Sequence, residues 1–281
     1  MTTTASAAPS NDARVFLGTR RVDALSPYDR GHAYGDGLFE TLLAHRGELP
    51  WWDAHWARLA RGAQRLRLPL PDPAQVRSEA AQLLEGLDAV LKLILTRGEG
   101  GRGYAPSAQA EPVWTISRHP LPPAPPTGGL TLRWCDLQLS EQPALAGLKH
   151  CNRLEQVLAR AEWDDPAIDE GLLRDASGAV VCATAANLFV LQGDAWLTPP
   201  VDRSGVAGVC RQALMELAEV RVQRLNADDV LGADAVFLCN AARGILPVAR
   251  LGERHWAPHP AVAGLRHRLG ATHPAFVPSQ G

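Results

Sequence analysis

Five of the residues from His119 to Gly129, in the run His-Pro-Leu-Pro-Pro-Ala-Pro-Pro-Thr-Gly-Gly, are proline. Proline has no N–H to give a neighbouring strand and holds φ at about −65°, so this run enters neither a helix nor a central strand and stays extended. It divides a chain of 281 residues, long enough for two cores, into a smaller part at 14–118 and a larger one at 130–281, with 119–129 as the linker. Met1 to Ala13 has neither a basic start nor an apolar run and is expected to be a disordered tail. No stretch reaches the roughly 20 apolar residues of a membrane-spanning helix, so no membrane partner is expected.

On both sides of the linker the apolar pattern switches between the periods of strands and helices. Alternation in Arg14 to Gly18 and in Gly37 to His45 predicts strands, and Arg46-Gly47-Glu48 predicts a hairpin turn after the second. Trp52 to Leu68 has helical spacing, with Trp52, Trp56, Leu59, Ala63 and Leu66 on one face and Arg58, Arg61 and Arg65 on another. A second helix is expected after Asp72-Pro73, with proline in its first turn, ending near Gly86. Ala89 to Thr96 and Val113 to Ser117 read as strands. Past the linker come a strand at Leu130 to Cys135, a helix from about Asn152 to Trp163, and a strand-rich stretch through Leu197. A helix after Gly205 to Gly208, a strand at Ala235 to Cys239 and a helix around Pro260 to Leu269 complete the pattern. Both parts are therefore expected to be α+β.

The 28 basic and 30 acidic side chains leave a net charge of −2, so no overall field draws the chain to nucleic acid or to an anionic membrane. An arginine-rich nucleic-acid binder is disfavoured further because no recognised module is present. A small-molecule substrate is the better expectation. The five cysteines (Cys135, Cys151, Cys182, Cys210 and Cys239) are scattered without a CxxC pair. That argues against a disulfide framework and a zinc site, and for a reducing, cytoplasmic location. His255, His259, His267 and His273 lack a matched carboxylate or cysteine set, so no metal is assigned. Of the 28 basic residues only Lys92 and Lys149 are lysine. Arginine stays protonated in proteins, whereas lysine can lose its proton and attack a carbonyl. Each lysine is a candidate for amine chemistry, against the plain alternative that two lysines escaped a compositional drift.

Four segments, Tyr28 to Thr41, Gly147 to Glu162, Asp169 to Phe189 and Gly205 to Gln212, together resemble the fold-type IV pyridoxal-phosphate enzymes, the relatives of branched-chain and D-amino-acid transaminases. Within that family, Gly147-Leu-Lys-His-Cys-Asn-Arg-Leu-Glu-Gln-Val-Leu-Ala-Arg160 and Arg97-Gly-Glu-Gly-Gly-Arg-Gly-Tyr104 are most similar to the aminodeoxychorismate lyases. The resemblance runs from about Arg14 to the C-terminal helix. It implies a two-domain α+β fold with pyridoxal 5′-phosphate between the domains, in a homodimer.

The resemblance also implies roles. Lys149 matches the lysine that binds the cofactor as a Schiff base and then acts as a base. A free lysine has a pKa of about 10.4, so only about one in 10³ to 10⁴ is unprotonated at neutral pH. Lys149 therefore needs burial or neighbouring cations to lower it. Arg58, in Ala54-His-Trp-Ala-Arg58, matches the arginine that holds the cofactor phosphate, a task suited to a forked guanidinium. Read alone, it would be a solvated helix residue. The backbone of Val206 and Ala207, at an apparent helix start, and of Asn240 and Ala241, directly after a strand, would supply the remaining phosphate donors. Arg102 and Tyr104 are candidates for gripping substrate carboxylates. Lys92 could assist them, although a lysine head at the sheet edge is the plainer reading. Thr41 could position a proton or a substrate hydroxyl and joins Lys149 as a catalytic candidate.

One position departs from the family. In Val180-Val-Cys-Ala-Thr-Ala-Ala-Asn-Leu-Phe189, Asn187 fits the pattern, but the glutamate that pairs with the cofactor's pyridine nitrogen is replaced by Cys182. A thiol, with a reference pKa of about 8.5, is mostly neutral and favours a protonated pyridine far less than a carboxylate does. The weaker electron sink bears hardest on transamination and least on a reaction drawn forward by forming an aromatic ring. The resemblance thus points to a carbon–oxygen lyase that makes 4-aminobenzoate and pyruvate for folate synthesis. A D-amino-acid or branched-chain amino-acid transaminase is the same-fold alternative, and a cofactor-binding protein without turnover is the third.

Overall fold

The computed structural model describes residues 13–107 and 110–277, and the expected N-terminal tail lies outside them apart from Ala13, which opens the first strand. Five strands, β1 (Ala13–Leu17), β2 (Arg20–Val22), β3 (Gly37–Ala44), β4 (Ala89–Thr96) and β5 (Val113–His119), form one antiparallel sheet in the order β2-β1-β5-β4-β3. Helices α1 (Arg30–Tyr34), α2 (Trp52–Leu66) and α3 (Pro73–Leu84) accompany it. Residues 120–129 contain neither helix nor strand.

The second sheet is larger. Strands β6 (Leu130–Leu139), β7 (Glu170–Asp175), β8 (Val180–Ala183), β9 (Asn187–Gln192), β10 (Ala195–Thr198), β11 (Val220–Val222), β12 (Ala235–Asn240) and β13 (Gly244–Leu251) run in the order β11-β10-β9-β12-β13-β6-β7-β8, and β14 (Arg254–His255) pairs with β13. Its helices are α4 (Leu154–Arg160), α5 (Val209–Leu217), α6 (Ala227–Leu231) and α7 (Pro260–Gly270). Among the described residues no helix is long and apolar enough to cross a membrane.

The helices sit where their apolar stripes find a sheet. Trp52, Leu59 and Ala63 of α2 and Val76, Ala80 and Leu84 of α3 pack into one core with Leu38, Leu42, Leu91 and Trp114 from the first sheet. Each large apolar side chain so buried contributes about 1.5–3 kcal/mol. Asp72 caps α3 by accepting from Ala74 N (3.1 Å), and Pro73 takes the first turn, where its missing N–H costs nothing.

Four local expectations change. The Arg46-Gly47 turn forms, with His45 N donating to Glu48 O (2.9 Å) and Glu48 N to His45 O (3.0 Å), but the chain then enters α2 and the partner of β3 is β4. The α2 face is wider than the apolar residues alone suggest, because His55 and Arg58 are also buried. Helix α4 begins after Asn152, whose side-chain amide is drawn away to donate to Gly35 O (3.1 Å). Lys92 does not stand at a sheet edge, since β4 lies between β5 and β3.

Candidate active site

Strand β3 is the outer strand of its sheet, and the loop before α4 takes up its free edge. Phe39 N donates to Lys149 O (2.9 Å) and Cys151 N to Gly37 O (2.9 Å). The second part of the chain holds the same loop from the other side: Gly147 N donates to Gly205 O (3.0 Å), and Ala207 N to Gly147 O (3.0 Å). Gly147 sits at φ 79°, in the left-handed region that favours glycine. Lys149 is thus fixed in the seam between the two sheets. Loss of solvation, followed by the charge of Arg58, lowers its pKa to about 7, with Glu40 opposing. At neutral pH about half of such an amine is unprotonated. Its Nζ lies 4.3 Å from the centre of the Phe39 ring.

Arg58 reaches toward this seam from α2. Its Nε donates to Glu40 Oε1 (2.8 Å), its Nη2 donates to Glu40 Oε2, and its Nη1 donates to Ala207 O (3.1 Å). His55 Nδ1 lies 2.6 Å from Glu40 Oε2. Burial would raise Glu40, but the charge and hydrogen bonds of Arg58 and the bond from His55 hold it down at about 2. Burial in turn lowers His55 against the pull of Glu40. A carboxylate gripping one side of the guanidinium fixes its plane and leaves outer N–H groups of Nη1 and Nη2 for an anion.

Neither Glu40 nor His55 was expected from the sequence. The three-residue spacing of His55 and Arg58 puts both on one helix face, which is a usable signal. Glu40 has no local signal, because its role depends on α2 folding back over β3.

The start of α5 faces the same place. Its N-cap, Gly208, offers no side chain, so the first N–H groups of the helix have no side-chain partner. Asn187 Nδ2 donates to Val206 O (2.9 Å), and a Cβ at Gly208 would fall 2.1 Å from Asn187 Oδ1, so Asn187 fastens this turn by close approach. The N–H of Ala207 is already given to Gly147 O, which leaves the groups following it, not Ala207 itself, as donors. Asn240 lies beside Asn187 through the pairing of Asn187 with Cys239. Its Oδ1 accepts from Ala242 N (3.1 Å) and Arg243 N (2.9 Å), and its Nδ2 donates to Ala185 O (3.2 Å), so its side chain builds the turn that carries Ala241.

Strand pairing gathers the remaining groups. Thr41 is opposite Lys92, and Phe39 opposite Ile94, in the β3–β4 register. Alternation then puts Phe39, Thr41 and Lys92 on one sheet face. Lys92 Nζ lies 5.6 Å from the Phe39 ring centre, on the ring that Lys149 also meets.

Cys182, on β8, is buried among Cys135, Leu139, Ala159 and Trp163. Burial, then the neighbouring Glu170, pushes its thiol up to about 12, so it is neutral. Arg102 and Tyr104 stand apart from the cluster: both are exposed, Tyr104 at 83 %. Arg30 holds their loop by its backbone, donating to Gly103 O (3.1 Å) and Tyr104 O (2.9 Å).

Residues 37–251 match the model of the class IV aminotransferases. The chain belongs to that family. Pyridoxal phosphate is the cofactor of these enzymes. Among the class IV relatives, a protein of Vibrio harveyi named aminodeoxychorismate lyase is 38% identical over 230 residues, covering 79% of this chain and 85% of its own. A putative branched-chain-amino-acid aminotransferase of Methanocaldococcus jannaschii is 29% identical over 255 residues, covering 86% and 88%. The crystal structure of 4-amino-4-deoxychorismate lyase from Pseudomonas aeruginosa superposes with a TM-score of 0.86 at 43% identity, covering 92% of this chain and 98% of that one. The branched-chain amino acid aminotransferase of Escherichia coli, at 20% identity and a TM-score of 0.81, shares the fold over 96% and 97%.

The residues present fit the family's cofactor. An amine with a pKa of about 7 suits a carbonyl partner. Two residues before Lys149, Gly147 is bonded to the Gly205 and Ala207 turn that leads into an uncapped helix, where a phosphate finds N–H groups and the positive end of the dipole.

Proposed function

We propose that this enzyme is an aminodeoxychorismate lyase, converting 4-amino-4-deoxychorismate to 4-aminobenzoate and pyruvate. The observation that carries the reading is the pair of lysine amines at 4.3 and 5.6 Å from one aromatic ring centre. A second basic group beside the reacting amine suits a dicarboxylate substrate and is a poor neighbour for the apolar side chain of a branched-chain amino acid. Identities of 38% and 43% to proteins bearing the lyase name support the same choice.

In this reading Arg58, the N–H groups at the start of α5 that follow Val206 and Ala207, and the turn of Asn240 and Ala241 hold the phosphate, and Asn187 keeps the first turn in shape. Lys149 binds the cofactor. When bound, pyridoxal phosphate supplies a conjugated electron-withdrawing ring that acidifies the C–H bond beside the substrate amine. The Nζ of Lys149 would accept that proton as a base. The C–O bond on the adjacent ring carbon breaks, the enolpyruvyl group leaves to become pyruvate, and the ring becomes aromatic. Lys92 holds one substrate carboxylate. Arg102 and Tyr104 are assigned to the other, which requires their loop to fold inward, and Thr41 orients the substrate from the face it shares with Lys92. Cys182 is assigned to the pyridine nitrogen, where a neutral group would suffice because aromatisation supplies the driving force. The active assembly is a homodimer with two sites.

Incubation of the purified protein with 4-amino-4-deoxychorismate, without any keto acid, tests the reading. Pyruvate and 4-aminobenzoate in equal amounts are expected. Absence of both, with amino transfer to a keto acid instead, would overturn it in favour of a transaminase.

A further inference from the structure

Arg153 follows Lys149 by four residues and occupies the N-cap position of α4. Its guanidinium doubles back over the lysine loop, Nε donating to His150 O (2.8 Å) and Nη2 to Leu148 O (3.1 Å). The carbonyls before and after Lys149 are thereby tied to one planar group. The same guanidinium lies 5.9 Å from the centre of the Phe39 ring, where Lys149 Nζ sits at 4.3 Å.

The charge of Arg153 is opposed through space by Glu155 in the first turn of α4, but among the described residues it has no carboxylate in contact. Arg58 has Glu40 as a forked counter-ion, but among the described residues no carboxylate forms an ion pair with Arg153. A half-buried cation held by carbonyls alone, without a carboxylate in contact, costs stability, and such groups concentrate where a site needs their field. The charged groups around Lys149 come from several elements: Arg58 on α2 with its partner Glu40 on β3, Lys92 on β4, and Arg153 at the start of α4. Of these, Arg58 acts most strongly and Glu40 opposes it, while Arg153 and then Lys92 add to the downward push.

We propose that Arg153 is the positioning residue of Lys149, clamping both flanking carbonyls and setting a second cation over the ring that the amine meets, so that protonation of the amine is disfavoured. Two neighbours agree with that field: the charge of Arg153 acts downward on Lys149 and, after burial, on His150, which falls to about 4. The inference rests on Lys149 being the cofactor-binding amine, but its test reads that amine directly.

With only two lysines, reductive ¹³C-methylation of the full-length protein freed of cofactor gives two lysine signals, assigned with Lys92→Arg. In the wild type the Lys149 signal is expected to titrate near pH 7. In Arg153→Gln its midpoint rises by about one unit. Arg153→Lys keeps the charge and loses the fork, so the midpoint stays near that of the wild type while amide exchange at Leu148 to Cys151 accelerates about tenfold. An unmoved midpoint in Arg153→Gln, or an equal rise in both variants, would overturn the electrostatic part. Unchanged exchange in Arg153→Lys would overturn the clamp, and that variant remains informative where Arg153→Gln does not fold. Failure here leaves the lyase reading intact, whereas a cofactor bound to another residue removes both.

Discussion

Lys92 and Lys149, the only lysines in the chain, hold their amines 5.6 and 4.3 Å from the centre of a single ring, that of Phe39. If Lys92 grips a substrate carboxylate, Lys92→Met is expected to raise KM for 4-amino-4-deoxychorismate about ten- to a hundredfold, the cost of one charge-assisted hydrogen bond. Cofactor loading should be unaffected, and Lys92→Arg should recover part of the loss. Steady-state kinetics decide the matter: a fall in kcat at constant KM would take Lys92 out of substrate binding.

Borohydride reduction of the loaded enzyme, followed by peptide mapping, is expected to find the cofactor on Lys149 and none on Lys92. Lys149→Ala should lose at least about 10²-fold in kcat if, as proposed, the same group serves as base. A label on any other residue would remove Lys149 as the anchor.

The rate at which the cofactor-free protein captures pyridoxal phosphate should follow the unprotonated amine. Its midpoint is expected near pH 7, where removal from water and the Arg58 charge set Lys149. A midpoint close to the value of about 10.4 for free lysine would show an amine that the fold leaves untuned.

Glu40 carries a pH signature of its own. Its folded pKa of about 2 lies below the ordinary 4.5, so its contribution to stability is complete above 4.5 and is lost as pH falls from there through 2. Glu40→Gln strands Arg58 and is expected to lower stability by about 3–5 kcal/mol at neutral pH. It should also flatten the stability profile across that acid window. Urea titrations at several pH values test both, and an unchanged acid slope would mean that Glu40 is not the titrating group.

If Cys182 stands at the pyridine nitrogen as proposed, replacing its neutral thiol by a carboxylate probes how much the reaction needs a protonated pyridine. Cys182→Glu is expected to change the lyase rate by less than about tenfold, since burial also raises a carboxyl placed there. An increase beyond that, measured as 4-aminobenzoate formed, would mean that Cys182 limits the chemistry.

Much of this organisation is legible in the residues themselves. The five prolines before Gly129 account for the segment without helix or strand, and the helical spacing of Trp52, Leu59 and Ala63 gives α2 to within two residues at its end. The assignments to Lys149 and Arg58 came from matched segments, and the structure adds that Arg58 stands between Glu40 and Ala207. Three features were out of reach because they depend on distant parts of the chain meeting. Glu40 becomes an anchor only when α2 lies across β3. Lys92 leaves the expected sheet edge because β3, from far earlier in the chain, pairs outside β4. Arg153 looks like an ordinary helix-start arginine until the loop ahead of α4 curls beneath it. Arg102 and Tyr104 show the converse, since a Gly-rich pattern specifies flexibility but not the direction in which a loop points.

Lys149 owes its place to hydrogen bonds from Phe39 on one side and, through Gly147, from the Gly205–Ala207 turn on the other. While either half of the chain is still unfolded, that side chain is an ordinary solvated ammonium group, slow toward any carbonyl. Reactivity is therefore withheld until the molecule is complete. An aldehyde offered to a chain with only one half folded is expected to react with this lysine no faster than with any exposed one, which a comparison of partly unfolded and native protein can read.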